Sequence, residues 1–381
     1  MSQFKEVVTV REGDADGNRM VVRLDTEQGR RIHAVGVPQD NNSRTGPTWA
    51  YLFENDGMTL IDAGATGSYQ HLADGVAATG YQVRDIERVI ITHGHQDHDG
   101  AAGQLAQQAG AEIWAHDIYA RLLNYNPWDI QRNPSSPLQR AMHRVMIADR
   151  VSNAEEAARQ SDGYADRQKR YVEVRRKFNV SRSLEADDRS GDLCFIHAPG
   201  HSPDEICVTL DGLVFTGDHV LPEITPHPTT KARFSPEIRK KVPEHYHCED
   251  KIYGLETYLR SLRMIANLGN DVSVLPAHRL FSKGKFNFET TERAEDILQH
   301  HVVRLRRILH RMGTEPTSLE RITRGVFERR KLIGGNLYMA LSEIVAHIEL
   351  LEDAGDLEVG DDMRLRTTGR ENYRDVIAGL G

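Results

Sequence analysis

The chain has 381 residues, of which 39% are hydrophobic and 27% are charged, a composition typical of a folded globular protein and not of a disordered or collagen-like chain. Because a single hydrophobic core stops growing at about 250–300 residues, this length predicts one main domain with roughly 100 residues to spare. The formal net charge of −8 disfavours a nucleic-acid partner, since domains that bind nucleic acids are usually basic.

The cysteine content and the hydropathy of the chain predict a cytoplasmic location. The sequence has three cysteines and no CxxC pair, so we expect reduced thiols and no disulfide framework. The first residues lack the apolar segment of a secretory signal. No stretch approaches the roughly 20 apolar residues that a membrane helix needs, so we expect no membrane association.

The first third of the chain predicts strands followed by an α/β crossover. Short apolar runs bounded by turn residues indicate strands, and apolar residues at helical spacing indicate helices. The predicted helices are Tyr69–Thr79 and a segment from Gly100 to Ala109. The predicted strands are Val21–Leu24, Trp49–Phe53, Met58–Ile61, Arg88–Thr92 and Glu112–Ala115.

The composition changes from about residue 118 to 189, where Arg, Ala, Glu and Gln dominate and runs of β-branched residues are absent. We predict a helical insertion here, broken at Asn133–Pro137. Regular strands resume after it, with one more helix before the last of them. These elements are strands at Leu193–His197, Ile206–Leu210, Leu213–Thr216 and Val272–Leu275, and a helix at Ile252–Leu268.

The last 90 residues predict a separate module. Helices are expected at Thr291–Met312, Ser318–Phe327 and Leu337–Asp353, followed by a hairpin around Gly360–Asp362. Helix, helix and hairpin in this order is typical of a winged helix. We therefore divide the chain into a catalytic domain at 1–290, which includes the insertion at about 118–189, and a winged-helix-like tail at 291–381.

A cluster of metal-ligand side chains follows the strand at 88–92. His93, His95, Asp97 and His98 lie within six residues, and imidazole and carboxylate groups are natural ligands for zinc. In an extended loop, residues two apart point to the same side, so the first three can share a face while His98 turns toward a second position. We interpret this segment as a metal site and not as a solvated loop.

This HxHxDH segment resembles the signature of the metallo-β-lactamase superfamily. Three further residues stand in the order and context of that family, each after a predicted strand: His201 in Pro-Gly-His, Asp218 in Thr-Gly-Asp and His278 in Pro-Ala-His. The resemblance implies an α+β fold, a four-layer αββα sandwich, to which the insertion and the tail are added.

The same resemblance implies two divalent metal ions per chain, held by seven side chains. The first metal would have three histidine ligands, the second would have two histidines and an aspartate, and one carboxylate would bridge them. The ligands are His93, His95 and His201 for the first metal, Asp97, His98 and His278 for the second, and Asp218 as the bridge.

This ligand set is similar to that of the glyoxalase II and ribonuclease Z branches. It differs from the true β-lactamases, in which a cysteine replaces the bridging carboxylate, so β-lactam hydrolysis is disfavoured. By resemblance, Asp62 after an early strand orients a ligand histidine through its other ring N–H, with a structural cap as the alternative. We expect zinc, with manganese and iron as alternatives, because ligand type alone does not separate the three metals.

Two adjacent divalent cations activate a shared water and polarise a carbonyl or phosphoryl oxygen. We therefore predict hydrolysis of a small-molecule ester-type bond, in a thioester such as acyl-CoA or in a lactone, by a metal-bridging hydroxide with Asp97 and Asp218 as catalytic residues. One alternative is a ribonuclease or phosphodiesterase that uses the same site. The others are a mononuclear iron enzyme of the persulfide dioxygenase type and a binding protein that has lost its chemistry.

The insertion offers two further hypotheses. Its aromatic residues line an apolar entry to the site or pack the insertion's own core; they are Tyr119, Tyr125, Trp128, Tyr164 and Tyr171. The basic runs Arg167–Arg170 and Arg175–Lys177 indicate a solvated helix face. Alternatively, Arg175 and Arg176 contact a phosphate of a coenzyme A thioester.

The tail argues against nucleic acid, because residues 332–363 contain eight acidic residues and no lysine or arginine. Such a surface would repel phosphates. We expect the tail to pack on the core, to form a homodimer or to cover a small-molecule substrate. His300 and His301, on its first helix, are predicted on a solvated face.

Overall fold

The computed structural model describes residues 4–39, 45–125, 130, 136–153, 164–313, 315–327, 332 and 335–380. Most of the predicted break at Asn133–Pro137, and Trp128, therefore lie outside the described residues. Among the described residues, none of the helices has both the length and the apolar character that crossing a bilayer demands.

Eight described strands form the first sheet, and their order in the sheet follows the chain. The first five pair antiparallel and the last four, from β5 onward, pair parallel, because helical crossovers replace the hairpins after β5. The strands are β1 (Phe4–Arg11), β2 (Val21–Thr26), β3 (Arg31–Val37), β4 (Thr48–Glu54), β5 (Met58–Ile61), β6 (Arg88–Ile90), β7 (Glu112–His116) and β8 (Arg182–Leu184).

Six described strands form the second sheet in the order β16-β13-β12-β11-β10-β9, in which β12 and β13 are parallel. Short strands β14 (Phe281–Ser282) and β15 (Lys285–Phe286) pair separately as a hairpin. The strands of the sheet are β9 (Arg189–Ser190), β10 (Leu193–His197), β11 (Ile206–Leu210), β12 (Leu213–Gly217), β13 (Ser273–Pro276) and β16 (Glu289–Thr290).

The prediction of a helical insertion over 118–189 is wrong at its end. Its described helices are α3 (Asp117–Leu122), α4 (Pro137–Ser152) and α5 (Tyr164–Arg175). The chain then returns to the sheets, because β8 pairs parallel with β7 and β9 pairs with β10. The residues between α5 and β10 therefore belong to the sheet architecture.

The two sheets pack face to face through a shared apolar core. Trp49, Tyr51 and Phe53 alternate with side chains on the opposite face of β4, and all three are buried in the same cluster as residues of the second sheet. Phe53 stacks on Phe215 with ring centroids 5.4 Å apart. Exclusion of these large side chains from water is the main force that holds the sheets together.

Helices cover the outer faces of both sheets, which gives four layers. Against the first sheet pack α1 (Tyr69–Ala78) and α2 (Ala102–Ala109). Against the second pack α7 (Leu255–Ala266) and α8 (Glu292–Arg311). In α7 the buried residues recur at 255, 259, 262 and 265, the spacing of one helix face. A short helix, α6 (Pro236–Arg239), lies in the segment before α7.

The tail continues the apolar core of the second sheet. Its elements are α8, β17 (Thr317–Ser318), α9 (Leu319–Val326), α10 (Gly335–Asp353), β18 (Leu357–Val359), β19 (Arg364–Thr367) and α11 (Tyr373–Ala378). The strands pair in the order β17-β19-β18. Apolar residues of α8, α9, α10 and of insertion helix α4 share one buried cluster with α7.

Two expectations for polar residues of the tail are wrong. Glu343 and Glu349 on α10 and Asp356 beyond it are buried, so the acidic segment does not present all its charge to solvent. His301 is fully buried whereas His300 is exposed, because the apolar stripe of α8 places residue 301 against α10 and residue 300 outside.

The buried Glu349 predicts an unusual dependence of stability on pH. Burial raises the pKa of Glu349 to about 8 from 4.5. The folded protein therefore keeps this proton where the unfolded chain has lost it, and stability falls as the pH rises from about 4.5 toward 8. We expect Glu349→Gln to gain stability over wild type as the pH rises, by at most about 1.4 kcal/mol per pH unit.

Urea unfolding of both proteins at about pH 5.5 and about pH 8 measures this difference. The control is Glu358→Gln, at an exposed position on β18, which should follow wild type at both pH values. A wild type and a Glu349→Gln variant with the same pH dependence would contradict the prediction.

Candidate metal centre

The predicted ligands lie at one edge of the sandwich, where strand ends of both sheets meet. Because β5 and β6 run parallel, as do β12 and β13, their carboxyl ends share an edge in each sheet. Asp62 follows β5, and residues 93–98, which we call the histidine loop, follow β6. Asp218 follows β12 and His278 follows β13. Residues distant in sequence are thereby brought together.

Asp62 connects the end of β5 to the histidine loop. It has a left-handed φ of 59°, which is strained for a residue with a Cβ. Its carboxylate accepts hydrogen bonds from the backbone N–H of Thr92 at 2.9 Å and from the hydroxyl of Thr92 at 3.0 Å. The same carboxylate lies 2.8 Å from Nδ1 of His98, so it fixes that ring with Nε2 pointing to the centre.

The first group of side chains consists of His93, His95 and His201, whose ring nitrogens lie within 4.8 Å of one another. Nε2 of His93 is 2.8 Å from Nδ1 of His95. Nδ1 of His201 donates to the backbone carbonyl of His227 at 2.9 Å, which leaves the lone pair of Nε2 directed at the other two rings.

The second group consists of Asp97, His98 and His278. Nε2 of His278 lies 3.4 Å from Oδ2 of Asp97, and Nε2 of His98 lies 3.9 Å from Oδ1. Nδ1 of His278 donates to the backbone carbonyl of Pro47 at 2.9 Å. Both histidines therefore have one nitrogen held by the protein and the other directed at the aspartate.

The carboxylate of Asp218 lies between the two groups. Its Oδ2 is 3.7 Å from Nε2 of His201 in the first group. Its Oδ1 is 3.6 Å from Nε2 of His98 and 3.4 Å from Nε2 of His278 in the second. One oxygen thus faces each group.

The donor atoms fit divalent cations. Among the described residues, four buried atoms of the centre have no hydrogen-bond partner: Nε2 of His98, His201 and His278, and Oδ1 of Asp218. Buried polar atoms are nearly always satisfied, and these four converge on the space between the groups. Imidazole lone pairs and carboxylate oxygens are the donors that zinc and similar metals take.

Electrostatics keep the first group neutral and the carboxylates ionised. Burial lowers the pKa of His95 to about 3 and holds that of His93 well below its usual value, so both rings offer lone pairs at neutral pH. Burial alone would raise the pKa of Asp218, but the neighbouring His278 and His98 outweigh it and lower that pKa. Opposite charges a few ångströms apart favour the ionised carboxylate.

Two acidic residues that support the loops of the site were not predicted. A carboxylate oxygen of Asp204 accepts the backbone N–H of Gly94, between the first two histidines, at 2.9 Å. Glu205 accepts the N–H of Asp218 at 2.9 Å and lies 3.7 Å from Nδ1 of His93. Their closeness to His201 in the sequence could have indicated this role, since both acids follow it within four residues.

The hypothesis that Arg175 contacts a substrate phosphate is wrong. Arg175 is buried, with its guanidinium 4.8 Å from the ring centroid of Tyr119 and 5.4 Å from that of Tyr171. Its Nε lies 3.6 Å from a carboxylate oxygen of Asp99. The two tyrosines enclose an ion pair behind the loop that holds the first three histidines, where the hydroxyl of Tyr171 donates to the carbonyl of Gly94 at 2.8 Å.

A third group of metal-ligand types, His301, Glu343 and His347, lies inside the tail. All of its side-chain nitrogen and oxygen atoms except Nε2 of His301 already have partners, however. Nδ1 of His301 is 3.0 Å from Nε2 of His347, and Nδ1 of His347 is 2.6 Å from the backbone carbonyl of Glu343. The carboxylate of Glu343 is bound by Arg304 and His227. A guanidinium on that carboxylate disfavours a second cation, so we interpret this group as a hydrogen-bond network.

Comparison with known proteins identifies the family. The sequence pattern of the metallo-beta-lactamase superfamily matches residues 43–278. The chain therefore belongs to that superfamily, and the predicted resemblance is confirmed. The structure has the superfamily's α+β fold.

Three relatives cover most of the chain. The probable metallo-hydrolase YqjP of Bacillus subtilis (strain 168) is 24% identical over 84% of this chain and 92% of its own length. The metallo-beta-lactamase family protein TTHA1429 of Thermus thermophilus has a TM-score of 0.57 at 20% identity, over 88% of this chain and 98% of that one. A beta-lactamase domain protein from Burkholderia ambifaria has a TM-score of 0.61 at 21% identity, over 88% and 92%. The two solved structures share the fold, and the family together with the Bacillus relative supports a metal-dependent hydrolase.

The position of Asp218 predicts the effect of removing it. Asp218→Ala takes one donor from each group, so we expect the purified variant to lose most bound metal and its activity. Metal content by elemental analysis is the measurement, with His93→Ala as a second variant. His143→Ala, at an exposed position on α4, should retain the metal content of wild type. Full metal and activity in Asp218→Ala would refute the assignment.

The buried ion pair predicts a contrast between neighbouring arginines. Arg175→Met leaves the buried carboxylate of Asp99 without its cation, a change that typically costs about 3–5 kcal/mol. Burial raises the pKa of Asp99 to about 6, so the loss should be largest at about pH 8, where Asp99 is ionised. Arg176→Met, at the exposed neighbouring position, should change stability by about 0.5 kcal/mol or less. Thermal unfolding is the measurement. An equal loss of stability in Arg175→Met and Arg176→Met would contradict this account.

Proposed function

We propose that this protein is a binuclear metal-dependent hydrolase of a small-molecule ester-type bond, a thioester or a lactone. The observation that carries the proposal is the Asp218 carboxylate, with one oxygen 3.7 Å from a histidine of the first group and the other 3.4 Å from a histidine of the second. A single carboxylate with donors on both sides is what a shared site for two cations requires.

The proposed ligands divide as the two groups do. His93, His95 and His201 would hold one metal, Asp97, His98 and His278 the other, and Asp218 would bridge them. Zinc fits these donors best, with manganese and iron as alternatives. When bound, such a pair of ions supplies an activated water and polarises the carbonyl that is attacked.

The residues of the chain supply positioning and proton transfer. The side chain of Asp97 is 21% exposed and that of Asp218 is 12% exposed, so Asp97 is the carboxylate more open to a substrate. His98 and His278 hold the pKa of Asp97 below its usual range against the effect of burial. An ionised carboxylate at that place can accept a proton from water and return it to the leaving group.

Charge near the site favours a neutral ester-type substrate over a phosphodiester. The guanidinium of Arg175, the cation behind the histidine loop, is already paired with Asp99. Asp97 and Asp218 add negative charge at the edge, and the whole chain carries −8. A nucleic-acid substrate would need a basic path for its phosphates.

We extend the proposal to the organisation of the chain. The tail has the order helix, strand, helix, helix and hairpin, which supports a winged-helix-like module at 291–381 attached to a catalytic domain at 1–290. Its packing into the core of the second sheet supports a structural role for it. The free cysteines Cys194, Cys207 and Cys248 support a cytoplasmic enzyme.

A substrate panel combined with metal analysis tests the function. We expect an acyl-CoA, a glutathione thioester or a lactone to be hydrolysed faster than bis-p-nitrophenyl phosphate, with activity lost to a chelator and restored by zinc. Two metals per chain are expected. Faster cleavage of the phosphodiester would favour the nuclease alternative, and one iron per chain would favour the oxygenase.

A further inference from the structure

The tail helix α10 directs two buried carboxylates at a segment that contacts the loop of His201. Residues 225–235 form no helix or strand and lie between the bridging aspartate and α6. Glu343 and Glu349, which are 7% and 5% exposed, both bind this segment. Burying two acids on one helix costs free energy unless each has a partner. The contacts that each acid makes therefore determine whether it is stable in this position.

Glu343 connects α10 to the metal centre through one intermediate residue. Its Oε2 lies 2.9 Å from Nδ1 of His227. The backbone carbonyl of His227 in turn accepts the hydrogen bond from Nδ1 of His201 at 2.9 Å. The other oxygen of Glu343 is bound by the guanidinium of Arg304 on α8, which holds the carboxylate ionised and in place.

Glu349 binds the same segment without reaching the centre. It accepts the backbone N–H of Lys231 at 2.7 Å, four residues beyond His227. The loop is also fixed by Thr229, whose N–H and hydroxyl both donate to the carbonyl of Gly200, at 2.7 and 2.9 Å. The backbone path of residues 225–235 is therefore held by contacts other than Glu343. The contribution of Glu343 is to orient His227.

His201 depends on such support more than His98 and His278 do. The side chains of His98 and His278 are fully buried and held by Asp62 and by the carbonyl of Pro47, both next to strands of the first sheet. The side chain of His201 is 12% exposed, and its ring is held by a carbonyl in a segment without regular structure.

We propose that Glu343 is a positioning residue for the metal centre: by holding His227, it fixes the carbonyl that orients the ligand His201. This inference rests on the proposed binuclear site. Partners that orient a ligand histidine typically change metal affinity by about 10–100-fold when removed. The tail would then tune the centre from outside the catalytic core without contacting substrate.

The matched variants Glu343→Gln and Glu349→Gln test the proposal. Both keep size and remove one ionisable group from the same helix. We expect Glu343→Gln to bind metal about 10–100-fold more weakly in competition with a chelator and to alter the visible spectrum of the cobalt-substituted protein. Glu349→Gln should match wild type in both readouts.

His227→Ala provides a second route that leaves the pair of Glu343 and Arg304 intact. It should weaken metal binding to a similar degree, and the double variant His227→Ala with Glu343→Gln should be no weaker than the more affected single variant, since both act on one path. Thermal unfolding of the metal-free proteins shows whether each variant folds.

The outcomes separate this inference from the function it rests on. Wild-type protein that binds no divalent metal would overturn both. Wild-type protein with two metals, and a folded Glu343→Gln with the same affinity and cobalt spectrum, would overturn the positioning role alone. Equal weakening in Glu343→Gln and Glu349→Gln, or additive losses in the double variant, would also overturn it, because general support of the segment would then account for the effect.

Discussion

The buried carboxylate of Asp218, placed among histidines of both groups, is the constraint on which the rest of the site depends. Burial opposes its charge, and the nearby imidazoles keep it ionised. The histidines of the first group remain neutral and direct lone pairs inward, so they offer donor atoms to a cation. The fold maintains this arrangement because parallel strands in both sheets end at the same edge. The loop after β6 delivers four of the residues, and the ends of β12 and β13 deliver Asp218 and His278.

Local sequence predicted the elements whose apolar runs are bounded by turn residues. Leu193–His197 and Ile206–Leu210 agree with β10 and β11 residue for residue, and α1 ends one residue earlier than predicted. β1 and β3 were missed for opposite reasons. β1 is an edge strand with none of its residues fully buried, whereas nearly all of β3 is buried, so neither shows the alternation that marks a half-buried strand.

The side chains that meet at the candidate metal centre could be predicted to do so because four of them occur together and the other three follow strands. Their supports were not, since they come from remote elements: Glu343 is 116 residues from the histidine it holds, and Arg175 lies on an insertion helix. A charged residue in a helix is on average exposed, and the local sequence does not indicate that a buried partner from a remote element will bind it. The same default misplaced His301, whose neighbour at 300 does face solvent.

Glu343 and Glu349 differ in charge although both lie on the tail helix that packs on the core. Both acids are buried on one face of α10, yet burial raises the pKa of Glu349, whereas His227 and Arg304 outweigh burial and lower that of Glu343. A neutral acid makes an ordinary hydrogen bond to a backbone N–H. An ionised one makes a stronger, charge-assisted bond, and in this protein that bond is made to His227, whose carbonyl accepts the hydrogen bond of His201.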